Sequence, residues 1–424
     1  MTKRKRSILF FTMLFIFAVS GPALIFYSQG YRIDFSSRKV VQTGALYFRI
    51  TPRNSSIKVS SQDKTIVKTT DFFSGRAYIE NLLPKRYSIE ITRENYHSWH
   101  KNIEVNEKMV NDFKNITLIR SNPEFTIKDE NIEDFFPFNG SLIIKYKDYF
   151  LFNNEKFNYQ KEEPIKVSYQ KNKLLVETQN NYYVVENNKT ITIPQKKVSF
   201  HPDNNSQVIY LEENNLVFYN YLTKEKNIVL ENVVAYEIRG DKVVFSLTEK
   251  GEIIKDFKEK LSRVSFDIKP DKDYSIFFPN SLELMIKEDD HFYLLDKKTL
   301  EFKEKFRSQN QPVTSPNFKK TAYFTDHEIA VLFLDNIDDQ PQRKYQETVF
   351  LTRFSEKITD VYWYTNDYLI FTVNDEIKVM EIDNRDEINI VSLASFKKPQ
   401  IFFDEKNLYV LSEKKLLVSE KLVP

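Results

Sequence analysis

Apolar residues fill the chain from Ile8 to Tyr27, and no charged side chain occurs between Ser7 and Tyr31. An α-helix of that length rises about 30 Å, the thickness of a membrane's hydrocarbon core. A helix packed in a soluble core would keep a polar face, which this one lacks. Lys3, Arg4, Lys5 and Arg6 abut its start, whereas Arg32, Arg38 and Lys39 lie further along on the other side. That bias predicts a cytoplasmic N-terminus and a cell-membrane anchor that leaves the bulk of the chain extracytoplasmic. A cleaved signal peptide is the alternative, with Ile8 to Val19 as its apolar region and Ala18-Val19-Ser20 as its cleavage site. The apolar run continues past Gly21-Pro22 to Tyr27, further than a cleaved peptide needs, which favours the anchor.

Beyond the anchor the pattern switches to period two. Leu46, Phe48 and Ile50 alternate with Ala45, Tyr47 and Arg49, and Tyr87, Ile89 and Ile91 alternate with Ser88, Glu90 and Thr92. One face of each strand is therefore buried. Short strands are also expected at 57–59, 76–79, 101–105 and 116–119, separated by Asn, Ser, Asp and Pro clusters, and together they fit a small β-sandwich.

Three stretches carry a family resemblance: Gly44 to Pro52, with its Thr51-Pro52 end; Asn81-Leu82-Leu83-Pro84-Lys85-Arg86-Tyr87; and Glu94-Asn95-Tyr96-His97-Ser98-Trp99. The segment from roughly 43 to 120 resembles a PEGA domain, in which a strand ends in Ser/Thr-Pro and turns of the Leu-x-Pro-Gly-x-Tyr and Gly-Tyr-x-x-Trp kinds follow. The namesake stretch reads Pro52-Arg53-Asn54-Ser55 here, Lys85 stands at the first turn glycine, and Asn95 stands at the second. Asn tolerates positive φ, so the last change is mild. The resemblance implies a small extracytoplasmic sandwich of the kind found beside membrane anchors in envelope proteins.

From Pro123 onward the pattern repeats: an apolar or aromatic pair, a polar turn, an apolar strand, another turn and another strand. The clearest copies start at Val198, Ser315 and Val361, and weaker ones run from Phe135 to Phe152, Val167 to Val185, Val233 to Ile254, Ile276 to Leu295 and Ile401 to Val418. Starts spaced by roughly 32 to 45 residues match the four-stranded blade of a propeller. The Ser/His-Pro-Asp/Asn turns resemble those of WD-repeat and TolB-like propellers. The fold expected is all-β: a transmembrane helix in 1–30, a PEGA-like sandwich in 40–120, and a seven- or eight-bladed propeller in 121–424. The last repeat would complete a ring begun by an early strand. Two stacked β-sandwiches are the rival arrangement, and the loop from Asn336 to Glu347 is expected to project from a blade edge.

Composition narrows the chemistry. Among 424 residues, Lys and Arg number 62 against 60 Asp and Glu, interspersed, so the basic field that nucleic acid requires is missing. With no cysteine there are no disulfides, thiolate metal sites or cysteine nucleophiles. With 7 glycines, phosphate-binding loops of the Gly-x-Gly-x-x-Gly or Walker kind are absent. His97, His100, His201, His291 and His327 form no zinc motif, and His97 and His100 beside Trp99 lack an acidic pair to complete a ligand set. The acidic runs Glu288-Asp289-Asp290, Asp338-Asp339 and Asp383 with Asp386-Glu387 read as solvated loop charges, with a glycosidase pair or a calcium site as the alternative. Tyr362-Trp363-Tyr364, the densest aromatic cluster, reads as packing at a strand start.

No catalytic, cofactor-binding or metal residue is assigned, and no cofactor is expected. The function expected is that of a non-enzymatic cell-envelope protein, held in the membrane by its N-terminal helix, whose propeller face binds a protein or glycan. The alternative is an envelope hydrolase or lyase using carboxylates in the propeller channel. A sensor or assembly scaffold is a third reading.

Overall fold

The computed structural model describes residues 3–34, 38–62, 64–187, 189–239, 242–404 and 406–422. Its one long helix, α1 (Lys3–Ser28), is apolar from Arg6 to Ser28 and is exposed along its length, with Phe15 71% and Phe17 73% accessible. The hydroxyls of Thr12 and Ser28 bond back to the carbonyls of Ile8 and Ile25, so these two donors are satisfied within the helix. This helix fits a membrane anchor or a signal sequence.

Seven strands follow in two sheets that share one core. In the first, Gly44–Thr51 lies between Arg76–Leu82, antiparallel, and Val110–Thr117, parallel. The second runs in the order Thr65–Thr69, Ser56–Ser60, Arg86–Thr92, Trp99–Glu104. Leu46, Phe48 and Ile50 meet Ile57, Val59, Ile89, Ile91 and Trp99 between the sheets, as alternation requires. Asn95 takes φ 64°, the left-handed conformation its side chain tolerates, whereas Lys85 is not in that region, so the turn there does not require glycine.

After residue 121 there are eight four-stranded sheets, seven of them consecutive antiparallel meanders beginning with Asp134–Phe138 and ending with Ile390–Ser395. The eighth combines Gln400–Phe403, Leu408–Ser412 and Lys415–Ser419 with Phe125–Glu130, the first strand of the region, paired along Lys415–Ser419. Between sheets, eight apolar clusters each draw on two successive blades, and the last joins Phe402, Leu411 and Leu416 to Ile132 and Phe135 of the first. The first strands of neighbouring blades touch each other, as at Val233–Arg239 against Tyr274–Phe277, so these strands line the axis. Each sheet is open, and closure comes from the clusters and the shared last blade. The result is an eight-bladed β-propeller. Two stacked sandwiches are excluded, since they would join their sheets into two cores rather than a ring of eight.

Two loops are placed differently from expectation. The Asn336–Glu347 segment does not project freely: Gln340 bonds to the backbone of Asp112 and Val110, and Asp339 pairs with Lys114 at 2.7 Å. Asp383 and Asp386 are not solvated loop charges either. Asp386 accepts from the Asn102 amide at 2.8 Å, and Asp383 is gripped by Arg385, which also reaches Asp112 O and lies over the Phe113 ring. Both loops hold the seven-stranded unit against the sixth and seventh blades. The centre of this junction is a buried ion pair, Lys101 to Glu381 at 2.8 Å, whose side chains are 0% and 4% exposed. Lys101 also donates to the carbonyls of Asp383 and Glu387, and Trp99 Nε1 donates to Glu381 at 2.8 Å. Burying two charges is tolerable only with such additional partners.

Candidate functional site: the axial cavity

The axial strands are short apolar runs interrupted by single polar residues, and period two turns those residues off the blade-to-blade packing. Two cavities, of about 870 and about 320 Å³, run along these strands and share Lys166, Glu237 and Ile238. The larger opens between the first four blades, walled by Phe136, Phe138, Tyr169 and Phe200 and edged by Lys166, Glu177 and Glu237. Phe138 meets Tyr169 edge-on, centroids 6.2 Å apart, so the wall is a packed aromatic surface. Ile165, on the same wall, is 62% exposed.

Three carboxyls on axial strands are held above their ordinary range. Burial pushes Asp360 up to about 6, against the amide of Ile401 that bonds it at 3.3 Å, and the Asp134 charge pushes it the same way. Burial likewise raises Asp134, opposed by the Phe135 amide and the Gln400 side chain. Glu237 is raised by burial, with Lys166 drawing it back. Asp134, Asp360 and Gln400 come from the first, seventh and eighth blades, so closure of the ring brings them together. Such a group can donate hydrogen bonds from a protonated carboxyl or hold a cationic guest. The functionally suggestive acids are thus ones that sequence reasoning passed over. Their signal was a lone acid within an apolar strand, as in Asp134-Phe135-Phe136 and Asp360-Val361-Tyr362, not the acidic doublets.

The doublets are spent elsewhere. Glu288 is buried and, although burial raises its pKa, Lys269 at 2.9 Å with Tyr274 and Tyr293 bring it below the usual value. Asp289 pairs with Lys272, and Asp290 with His291. The histidines stay apart: Nδ1 of His201 accepts from the amides of Asp203 and Asn204, His100 meets Ser98, and His327 lies by the Glu356 carbonyl. Among the described residues no group of three His, Cys, Asp or Glu is placed to hold a metal. Trp363 and Tyr364 are buried at 5% and 3% exposure, the former donating to Val313 O and the latter to Leu422 O.

No family model and no curated protein matches this chain. Among solved structures, it is similar to the computationally designed Ika8 protein at 10% identity and TM-score 0.39, over 72% of this chain and 100% of that one. It is similar to BamB from Moraxella catarrhalis at 10% identity and TM-score 0.42, over 70% and 96%. A eukaryotic initiation factor is similar at 12% identity and TM-score 0.42, over 85% and 90%. Likeness at these scores carries no argument, and the propeller assignment rests on this chain's own strand order.

Proposed function

We propose that this is a non-enzymatic, membrane-anchored envelope protein: residues 1–30 form a tail and uncleaved anchor, 40–120 a PEGA-like stalk, and 121–424 an extracytoplasmic propeller that binds a protein or glycan. The observation that carries the reading is the cavity of about 870 Å³ on the axial strands, aromatic on its wall with a few charged groups at its edge. That is the make-up of a recognition surface, with apolar area for affinity and sparse polar groups for orientation. The exposed apolar helix supports the anchor. A photo-crosslinking residue at Ile165, compared with one at exposed Leu282, tests the reading in intact cells. Adducts from 165 and none from 282 support it, and equal labelling counts against it. Protease shaving of intact cells, with the mature N-terminus determined on the same sample, tests the topology.

A second reading is favoured by one observation: the Asp134 charge on the first blade acts on Asp360 of the seventh, the two flanking the eighth, and Asp360 is raised to about 6. An envelope hydrolase or lyase could use such a pair, one carboxyl protonated as general acid. It predicts turnover of an envelope polysaccharide with a pH limb near 6 that Asp360→Asn abolishes.

A further inference from the structure

Between α1 and the seven-stranded unit lies a two-stranded ribbon, Tyr31–Asp34 with Lys39–Gln42, whose strands form no backbone ladder with either of the larger sheets. A two-stranded ribbon alone is marginal in water and needs a surface to pack on. Its two faces differ. Ile33 pairs directly with Val40, so both stand on one face with Tyr31, and they are 59% and 66% exposed. Tyr31 meets Phe26 of α1 edge-on at 5.4 Å, so this face continues the helix's apolar surface. The other face carries Arg32, whose guanidinium lies 3.6 Å from the centre of the Tyr27 ring, donates to the Tyr27 carbonyl and bonds Asn81 at 2.6 Å. Gly30 O accepts from the amide of Thr43, and Gln42 reaches Gln29 O. The ribbon is therefore clamped to the helix end rather than left as a linker.

We propose that the ribbon is an interfacial anchor. Ile33 and Val40 sit at the headgroup–acyl boundary of the leaflet from which α1 emerges, and exposed Arg38, with Lys39 reaching round from the opposite face where it stands across from Asp34, takes anionic phospholipid headgroups. The inference rests on α1 spanning the membrane. Continuity with the helix selects lipid as the occupant, because a face beginning at Phe26 is at bilayer depth when α1 is inserted. The basic residues favour a negative surface. Clamping would fix the angle at which the seven-stranded unit leaves the membrane.

The chain has no cysteine, so single cysteines can be labelled uniquely. Full-length protein carrying Ile33→Cys, Val40→Cys, Phe15→Cys or Phe73→Cys, tagged with an environment-sensitive fluorophore, is reconstituted in phosphatidylcholine vesicles with and without phosphatidylglycerol. Spin labels placed shallow or deep on the lipid report depth. The expected result is shallow quenching at 33 and 40, deep quenching at 15, and none at 73, which lies in the turn before Arg76, at the end of Arg76–Leu82 remote from Gly44 and the ribbon. Omitting phosphatidylglycerol should weaken quenching at 40 several-fold and leave 15 unchanged. Positions 33 and 40 behaving like 73 while 15 is quenched would overturn the ribbon's role and spare the anchor. An unquenched 15 would sink the anchor itself. Self-quenching at 33 that grows with protein density would assign the face to a second copy and overturn the lipid assignment, and equal quenching in both lipid mixtures would overturn the headgroup contacts.

Discussion

Tight hairpins usually call on glycine, and this chain has 7. Asn, Lys, Glu and even Phe take its place: Asn153-Asn154, Lys171-Asn172, Glu213-Asn214, Asp256-Phe257 and Glu413-Lys414 all hold both residues at φ between 43° and 66°. Paired positive φ marks the turn whose twist matches the strands it joins. For residues with a Cβ the left-handed region costs about 1–2 kcal/mol each. Lys414→Gly is accordingly expected to stabilise the last blade by up to about 1 kcal/mol, read as an upward shift in thermal unfolding. Asp360 supplies a pH-dependent test. Its pKa rises from 3.8 to about 6 on folding, so its favourable contribution is complete below about pH 4 and is lost as pH rises through about 6. Asp360→Asn, which keeps the size and removes the charge, should match the parent's melting temperature at pH 4 and exceed it at pH 7. Identical pH profiles would show that the carboxyl is not held in a charge-averse site. The presence of these acids was legible in the sequence. Their meeting was not, because Asp134 and Asp360 are far apart in the chain and joined only by ring closure.

Among the elements, the strand Trp99–Glu104 carries the most consequence beyond its own sheet. The sequence marks a short strand at 101–105, and period two puts Lys101 on the face of Ile103 without naming a partner for its charge. In the fold, Lys101 is enclosed and its partner Glu381 is raised by burial, with Lys101 drawing it back. Lys101→Met should cost about 3–5 kcal/mol, because it strands a buried carboxylate. The double variant with Glu381→Met should recover most of that, because the orphaned charge leaves with its partner. Thermal unfolding and the rate of proteolysis between residues 118 and 124 report both. A single variant as stable as the parent would show that the junction does not depend on the pair. The loop 336–347 teaches the same lesson: its polar composition suggested a solvated projection, and the polar groups instead meet a surface made by residues more than two hundred positions earlier.

For the whole molecule, stability depends on closing the ring. Deleting residues from Lys415 onward removes the strand that pairs with Phe125–Glu130 and takes Leu416 from the cluster joining the last blade to the first. That truncation should lose the single cooperative transition and elute as an aggregate in size-exclusion chromatography, since exposed strand edges pair with other chains. A monomer that still melts cooperatively would refute the closure argument. What the residues determined by themselves is local. The uncharged run from Ser7 marks a helix long enough to cross a bilayer, and period two marks the strands. The recurring turns mark the repeats, because backbone hydrogen bonding and side-chain alternation have short periods readable within a few residues. The tertiary structure decided between the seven and eight blades the repeats allowed, showed which early strand closes the ring and where it pairs, bound the acidic loops to the seven-stranded unit, and set which carboxyls lie near one another. Those outcomes depend on packing between segments distant in the chain, where burial and charge pairing are set by neighbours that no local pattern names.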